Sequence, residues 1–537
     1  MFGDYLKGKS KSDSNNDKRS VRAEKHEQEG MNPFSNKPLS ASLEQNMELL
    51  KRELGDASDI MYRNLELENA DRTKLLIVYV QGMVDDDMMN EFVIKPLLSK
   101  LSSDQAESTS GKFLELMKSS LLPTGTVNEL ADWKQFLQKL FMGYAIIMVE
   151  GTDKALAAAI SGGEKRGIEE PKTEMAIRGP REGFTESLRV NTSLVRRKLR
   201  SPKVWMEQWT LGEITQTPVC IMYVKGLADE KMLEDVRERL NGICIDSIME
   251  SGNIEELISD QKWSPFPTIM YTERPDTVAG NLIEGRISLL VDGTPFALIV
   301  PSTLNMFFQT AEDYYQRFDI ATFLRMLRFV SFVIAILMPS VYVAIASYHQ
   351  EMIPTRLLLK LAAQREGVPF PAYLEAFIME FVFEILREAV VRMPSAAGNT
   401  ISIVGGLVIG QSAVEAGIVS PAVVIVVSIT AIASFVAPVY SLGIAARLLR
   451  FLLLFAASTI GFYGIGMVML LLLLHLSNLR SFGIPYLTPF APFKLKDLKD
   501  TLVRAPLWLM RERPQLLPSK NKIRQQTEIE PRKEPTQ

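Results

Sequence analysis

Residues 329–350 read FVSFVIAILMPSVYVAIASYHQ, twenty-two residues without one Asp, Glu, Lys or Arg. A helix of that length rises about 33 Å, enough to cross a hydrocarbon core about 30 Å thick. Three more charge-free stretches follow, 393–414, 417–446 and 451–479, whereas the sequence before about Leu327 is densely charged. The chain therefore changes solvent near Leu327, from a polar head to a multi-span, all-α membrane body. Four spans are predicted, over 327–347, 398–418, 420–440 and 451–475. Pro339 and Pro438 are expected to kink their helices, which neighbouring helices can tolerate. Pro421 is expected to start one, making the second and third spans a tight hairpin.

Bulk composition averages these two media: 537 residues, net charge -3 and 47% hydrophobic residues. The first twenty residues are polar and hold no apolar core, so they do not read as a signal peptide, and the head is expected to stay cytoplasmic. Beyond Leu479 stand 12 Lys or Arg against 6 Asp or Glu, which also places that tail in the cytoplasm and requires an even number of spans. Residues 1–45 have too few large apolar side chains to offset the entropy of ordering and read as a disordered arm. Cys220 and Cys244 form no disulfide framework and no zinc spacing, and both are expected reduced and buried. His26, His349 and His475 lie far apart, the latter two at span ends. No phosphate-binding glycine loop, dinucleotide fingerprint or zinc-protease motif occurs. The reading is of a non-enzyme with no cofactor and no metal.

Inside the head the sequence repeats itself. Residues 76–89, LIVYVQGMVDDDMM, are echoed by 221–233, IMYVKGLADEKML; Tyr79, Val80, Gly82 and Asp85 match Tyr223, Val224, Gly226 and Asp229. Downstream, 147–152 (IMVEGT) matches 289–294 (LLVDGT). The offsets, 144 and 142 residues, nearly agree. Each unit predicts a buried strand, a glycine turn and an Asp-capped helix, with Met88, Met89 and Phe92 on one apolar face and Met232, Leu233, Val236 and Leu240 on the other. Glu150-Gly151 and Asp292-Gly293 predict two-residue hairpin turns. The head is thus expected to be two similar α/β lobes. Ahead of the first, Met47, Leu49, Leu50, Leu54, Ile60 and Met61 recur at helical spacing and predict leading helices.

Three stretches carry candidate chemistry, each with a bland alternative. Between the lobes, Arg178, Arg181, Arg189, Arg196 and Arg197 form a basic connector, either a patch for an anionic ligand, lipid head groups or an acidic surface, or a solvated helix face paired with local carboxylates. No aromatic interleaving accompanies them, which argues against nucleic acid. In 372–393, Glu380, Glu384 and Glu388 recur every four residues as an acidic stripe on an otherwise apolar helix. Such a stripe must face water, a counter-charge or the surface. It fits either a packed helix with charges paired to Arg387 and Arg392, or a cation-attracting vestibule repeated around an oligomer. On the third span Val423, Val427, Thr430 and Ser434 share a face that could line a pore, although span hydroxyls commonly bond back to their own helix. Gly406 and Gly410 form a GxxxG contact motif beside Gly405.

Several long strings resemble the A subunit of bacterial spore germinant receptors, the GerA family: 175–202 (MAIRGPREGFTESLRVNTSLVRRKLRSP), 307–329 (FFQTAEDYYQRFDIATFLRMLRF), 365–389 (REGVPFPAYLEAFIMEFVFEILREA), 398–421 (GNTISIVGGLVIGQSAVEAGIVSP) and 479–492 (LRSFGIPYLTPFAP). The resemblance covers about 70–495. It implies a spore inner-membrane protein, its termini on the core side, acting with a transporter-like B subunit and a lipoprotein C subunit. It further implies a ring, by resemblance a pentamer, that conducts monovalent cations when nutrient is sensed. Alternatives are a non-conducting relay scaffold, a head that itself binds the nutrient, and a related accessory amplifier of ion release. The resulting map is an arm (1–45), a first lobe with leading helices (46–160), a basic connector helix (161–214), a second lobe (215–301), a coupling segment (302–326), the membrane domain (327–479) and a basic, partly disordered tail (480–537).

Overall fold

The repeated apolar runs become the inner strands of two sheets. A computed structural model describes residues 37–55, 57–66, 73–100, 117–118, 126–162, 170–171, 173–392, 408–494, 497–513, 521 and 523–524. The chain divides into two compact units, Met1–Gly167 with Thr192–Glu207, and Ile168–Asn191 with Gln208–Gln537.

In the first unit, strands β1 (Ile60–Glu66), β2 (Lys74–Val80), β3 (Val127–Leu130), β4 (Ala145–Val149) and β5 (Ala155–Ala158) form a sheet of order β1-β2-β4-β5-β3 with antiparallel pairs throughout. Helices α1 (Leu43–Leu54) and α2 (Trp133–Leu140) cover one face, where Leu50, Leu54, Phe136 and Leu140 meet Leu76 and Val78. The other face packs Leu75, Ile77 and Ile147 against Val93 and Leu97. Covered on both faces, β2 needs an unbroken apolar run rather than an alternating one. Asp85 caps the helix after β2, its carboxylate accepting the amides of Asp87 and Met88 at 3.0 Å each.

The segment after residue 173 carries α3 (Leu188–Lys198). A second sheet contains β6 (Val204–Leu211), β7 (Thr217–Val224), β8 (Met270–Thr272), β9 (Ile287–Val291) and β10 (Ala297–Val300), in the order β6-β7-β9-β10-β8. That is the strand order of the first sheet. The pairing matches too: Ile77 faces Ile147 in one sheet and Ile221 faces Leu289 in the other, so offsets of 144 and 142 residues lead to equivalent partners. Helices α4 (Glu230–Asn241), α5 (Ser251–Ile258) and α6 (Pro275–Glu284) complete this part; Met232, Leu233, Val236 and Leu240 are the buried face of α4.

Several local expectations change. Ile60 and Met61 start strand β1 rather than continuing a helix, because α1 stops at Gly55, and residues 37–45 carry a β-bridge and the start of α1 rather than an arm; residues 1–36 lie outside the described ones. The connector is not all helix, since α3 gives way to β6. The two hairpins span five residues, 150–154 and 292–296, with Gly151 and Gly293 at φ 82° and 86°. Met88 is exposed, and so is Cys244; only Cys220 is buried.

Beyond the second sheet the chain is helical: α7 (Phe318–Ser347), α8 (Thr355–Arg365), α9 (Ala372–Arg392), a short turn Gly410–Glu415, α10 (Pro421–Phe435), α11 (Tyr440–Ile460) and α12 (Phe462–Asn478). Among the described residues, only α7 and α11 are both long and apolar enough to cross a membrane; α10 and α12 are shorter apolar helices. Of the predicted span 398–418, residues 398–407, with Gly405 and Gly406, lie outside the described ones; the remainder carries the short helix Gly410–Glu415, which ends in a turn at Gly417 rather than spanning to 418. Pro339 sits within α7 and Pro421 opens α10. Pro438 falls in the break after α10 rather than kinking it. The last predicted span, 451–475, is cut at Gly461, whose φ of 64° and the His349 ring 2.7 Å from any Cβ built there exclude a larger residue. Helix α11 instead starts at Tyr440 and carries Arg447 and Arg450 into the bundle.

Candidate functional site

Two groups of buried charge stand out in the second unit. The first joins the sheet region to the helices. After β10 the chain makes two 3-10 turns, Leu304–Phe308 and Ala311–Tyr314, and buries Met306, Phe307 and Phe308. Thr310 donates its hydroxyl to Asp313 at 3.2 Å, closing the second turn. Asp313 is buried and shared by two arginines of α7, accepting from Arg325 Nε at 2.9 Å and from Arg328 Nη1 at 2.9 Å. Arg325, also buried, reaches the chain beyond the last helix, donating to Asp500 Oδ1 at 2.8 Å and to the Thr501 carbonyl at 3.1 Å. Tyr314 donates to the other Asp500 oxygen at 2.8 Å. Burial pushes the Asp313 carboxyl up, but the hydrogen bonds and charges of Arg328 and Arg325 outweigh it and hold it below the usual carboxylate range.

The second sheet is tied into the same joint. The Ser302 amide donates to Ser481 Oγ at 2.9 Å, and Ser481 donates to the Thr268 carbonyl at 2.6 Å. The Leu304 amide meets the Tyr486 carbonyl at 2.9 Å. Tyr315 donates to Asp276 at 2.6 Å; Asp276 pairs with the buried Arg274 at 2.8 Å, which in turn reaches the Pro180 carbonyl at 3.0 Å. Direct hydrogen bonds thus connect the sheet region to the segment that leads into α7.

The second group lies between α9 and α11. Glu380 and Arg450, both fully buried, form a direct ion pair. One turn away, Arg447 donates to Glu384 at 3.3 Å, and Arg387 stacks over the Phe435 ring at 4.5 Å. Glu388 pairs with Arg392 at 2.6 Å in the open. Near the start of α9 the buried Glu375 accepts the Ser420 amide at 2.8 Å and pairs with Arg365 at 3.3 Å. Bonding is incomplete: among the described residues Glu380 Oε1, Glu384 Oε1, Arg447 Nε, and Arg450 Nε and Nη2 find no hydrogen-bond partner. A cleft of about 530 Å³, lined by Phe381, Glu384, Ile385, Glu388, Ala389, Arg392 and Arg447, opens beside them.

The acidic stripe is thus sorted by depth, Glu380 innermost and Glu388 outermost. Its principal partners, Arg447 and Arg450, lie on α11, in the stretch between the predicted spans 420–440 and 451–475. The only signal for this pairing was that two arginines three residues apart could match two glutamates four apart. Val423, Val427, Thr430 and Ser434 do share one face of α10, and all four are buried. The Thr430 hydroxyl donates to the Val426 carbonyl at 2.8 Å and Ser434 to Ala431 at 2.7 Å, so in the single chain these groups face protein and their own backbone. The basic connector does not form one patch. Arg178, Arg181 and Arg189 are exposed, Arg181 lying 3.9 Å from Glu170. Arg197 is half-buried and donates to the Gly162 carbonyl at 3.3 Å. Arg196 is buried inside the first unit in a two-pronged pair with Asp59, 2.9 Å on each arm, with the Val204 carbonyl at 2.7 Å. No group of three or more His, Cys, Asp or Glu that could hold a metal occurs among the described residues.

Comparison with known proteins is consistent across nearly the whole chain. Residues 48–516 match the family described as Bacillus/Clostridium GerA spore germination protein. The chain is 47% identical over 487 residues to spore germination protein KA of Bacillus subtilis, covering 91% of this chain and 89% of that one. It is 38% identical over 483 residues to spore germination protein GerLA of Bacillus cereus, covering 90% and 97%. Among solved structures, the crystal structure of the N-terminal domain of the A subunit of the Bacillus megaterium spore germinant receptor GerK3 matches at 35% identity and a TM-score of 0.40, covering 49% of this chain and 96% of that one.

Proposed function

The chain belongs to the GerA spore germination family, and from that premise we propose that it is the A subunit of a nutrient-germinant receptor, a membrane protein that releases monovalent cations when its complex senses nutrient. The observation that carries this reading is the Glu380–Arg450 and Glu384–Arg447 cluster in an apolar bundle. Ionisable groups at membrane depth are expensive and mark ion paths or gates. Here they are also under-bonded, and Glu384 and Arg447 line a cleft. In the proposed assembly several copies turn their α9 clefts toward a shared path, and Glu384 and Glu388 draw cations into it. The α10 face of Val423, Val427, Thr430 and Ser434 serves as packing that holds the bundle.

Helix directions support a multi-pass arrangement. Glu380 meets Arg450 and Glu384 meets Arg447, so α9 and α11 run antiparallel. Glu375 meets Ser420 and Arg387 meets Phe435, so α9 and α10 run parallel. Helix α12 reverses α11 across Gly461 and returns to the sheet region, where His475 Nε2 lies 2.8 Å from the Ser264 hydroxyl. Because α12 returns to the sheet region, the head and the tail then lie on one side of the membrane, in the spore core.

Partners follow from the same premise: a transporter-like B subunit, a lipoprotein C subunit and further copies of this chain, a pentamer by resemblance. Reversing charge on the exposed cleft wall tests the path. Glu388→Arg spores should release cations about tenfold more slowly on nutrient exposure, about 1.4 kcal/mol of barrier, with normal protein abundance. Unchanged release would remove the cleft from the path. A non-conducting relay is favoured by one observation, the burial and backbone bonding of the α10 hydroxyls. Conductance of the reconstituted protein with and without its partners separates the two readings.

A further inference from the structure

Trp263 is 98% exposed, although tryptophan is the side chain with the most apolar surface to hide. It does not sit on a loose tip. On one side Asp260 accepts the Phe482 amide at 2.6 Å and pairs with Arg239 at 2.6 Å, while Arg239 stacks on the Phe482 ring at 4.1 Å. On the other, Ser264 meets His475 Nε2 at 2.8 Å, and the Phe266 ring lies 6.3 Å from His475 and 6.4 Å from Tyr486. The loop is clamped at both ends and presents its indole outward from a fixed base.

The place where it is presented decides the partner. His475 is in the last turn of α12, and Met467, Leu470, Leu471, Leu473 and Leu474, which precede it, are all more than half exposed. The apolar outer surface of α12 therefore ends one residue before the group that holds the Trp263 loop. Lys262 and Arg480, both exposed, flank this boundary. An apolar helix surface, then an aromatic with a polar edge, then cations is the order found where protein crosses from hydrocarbon into head groups.

We propose that Trp263 docks the second sheet region onto the membrane, its indole in the phospholipid head-group layer and Lys262 and Arg480 facing lipid phosphates. The proposal rests on the reading of α12 as a membrane helix. Its consequence is that the region carrying α5 and β8 is held to the bilayer as well as to the helices, so the joint at Asp313 works against a fixed surface.

The test uses the full chain in phosphatidylglycerol/phosphatidylethanolamine vesicles, with and without bromine on the acyl chains near the head group. The Trp263 emission is taken as the difference between the native chain and Trp263→Phe. It should be quenched by about half by the bromolipids and little by aqueous iodide. Emission quenched by iodide and not by bromolipid, or shielded from both as against a protein partner, would overturn the proposal. Leu470→Trp in the Trp263→Phe background is the companion measurement. If it is quenched while Trp263 is not, the docking fails and the membrane helix stands; if neither is quenched, the membrane reading fails and the docking with it.

Discussion

The two buried charge groups differ in how many partners each charge has. At the joint, Asp313 holds two arginines, and Arg325 reaches Asp313, Asp500 and the Thr501 carbonyl, leaving its Nη2 without a hydrogen-bond partner among the described residues. Between α9 and α11, Glu380 has one bonded oxygen and one bare one, and Arg450 makes a single hydrogen bond, its Nη2 lying 3.9 Å from Glu384 Oε1. A charge with several hydrogen bonds keeps some of them when one partner is removed; a pair joined by a single hydrogen bond, with its other groups unmet, has more to lose from one change. In the proposed receptor the joint would transmit and the helix cluster would switch.

Breaking the weaker cluster should have the largest effect. Arg450→Met leaves Glu380 buried without a counter-charge and should cost about 3–5 kcal/mol, read as lost thermal stability of the detergent-solubilised protein. Glu380→Gln combined with Arg450→Met should recover most of that, because a vanished pair costs far less than half a pair. A double variant as unstable as the single would mean that the two residues do not act as a pair.

The joint should yield less to the same treatment. Arg325→Met leaves Asp313 with Arg328 and Asp500 with Tyr314, so a loss of about 1.5–3 kcal/mol is expected in the same assay. A loss as large as that of Arg450→Met would erase the distinction between the two groups.

Acid sharpens the comparison further. The Asp313 pKa is depressed, so its contribution is fully present above the ordinary Asp value of about 3.9 and is lost as pH falls through the lower folded value. Stability differences between the native chain and Asp313→Asn should therefore be constant from pH 8 to about pH 5 and shrink only in stronger acid. A difference that already fades near pH 6 would show that the arginines do not hold this carboxylate ionised.

The smallest effect is expected on α10. Thr430→Val removes a hydroxyl bonded to its own helix and should change stability by no more than about 1 kcal/mol, with cation release unaltered. A changed release rate would return this face to the ion path.

How far these features could be read in the sequence follows their range along the chain. The repeat was legible because a doubly covered strand such as β2 must be an unbroken apolar run, and Asp85 and Asp229 cap the following helices with their own side chains. Strand β1 was not, since Ile60 and Met61 happen to continue a helical spacing whose end is set by Gly55. Helix α11 was misjudged because Arg447 and Arg450 look like the end of a span until Glu384 and Glu380, more than sixty residues away, are placed beside them. Arg196 read as surface charge, yet its partner Asp59 lies 137 positions earlier. The stripe of Glu380, Glu384 and Glu388 could be seen, but its grading from buried to exposed depends on how α9 packs against α11.

The most direct test of transmission through the joint is nutrient-triggered cation release from spores carrying a four-residue Gly-Ser insertion after Gln316, between Asp313 and Arg325. If the joint couples the sheet region to the helices, release should fall by about tenfold or more, roughly 1.4 kcal/mol of lost coupling, with the protein normally abundant in the membrane. Release with unchanged onset and rate would contradict the coupling and leave Asp313, Arg325 and Asp500 as structural anchors alone.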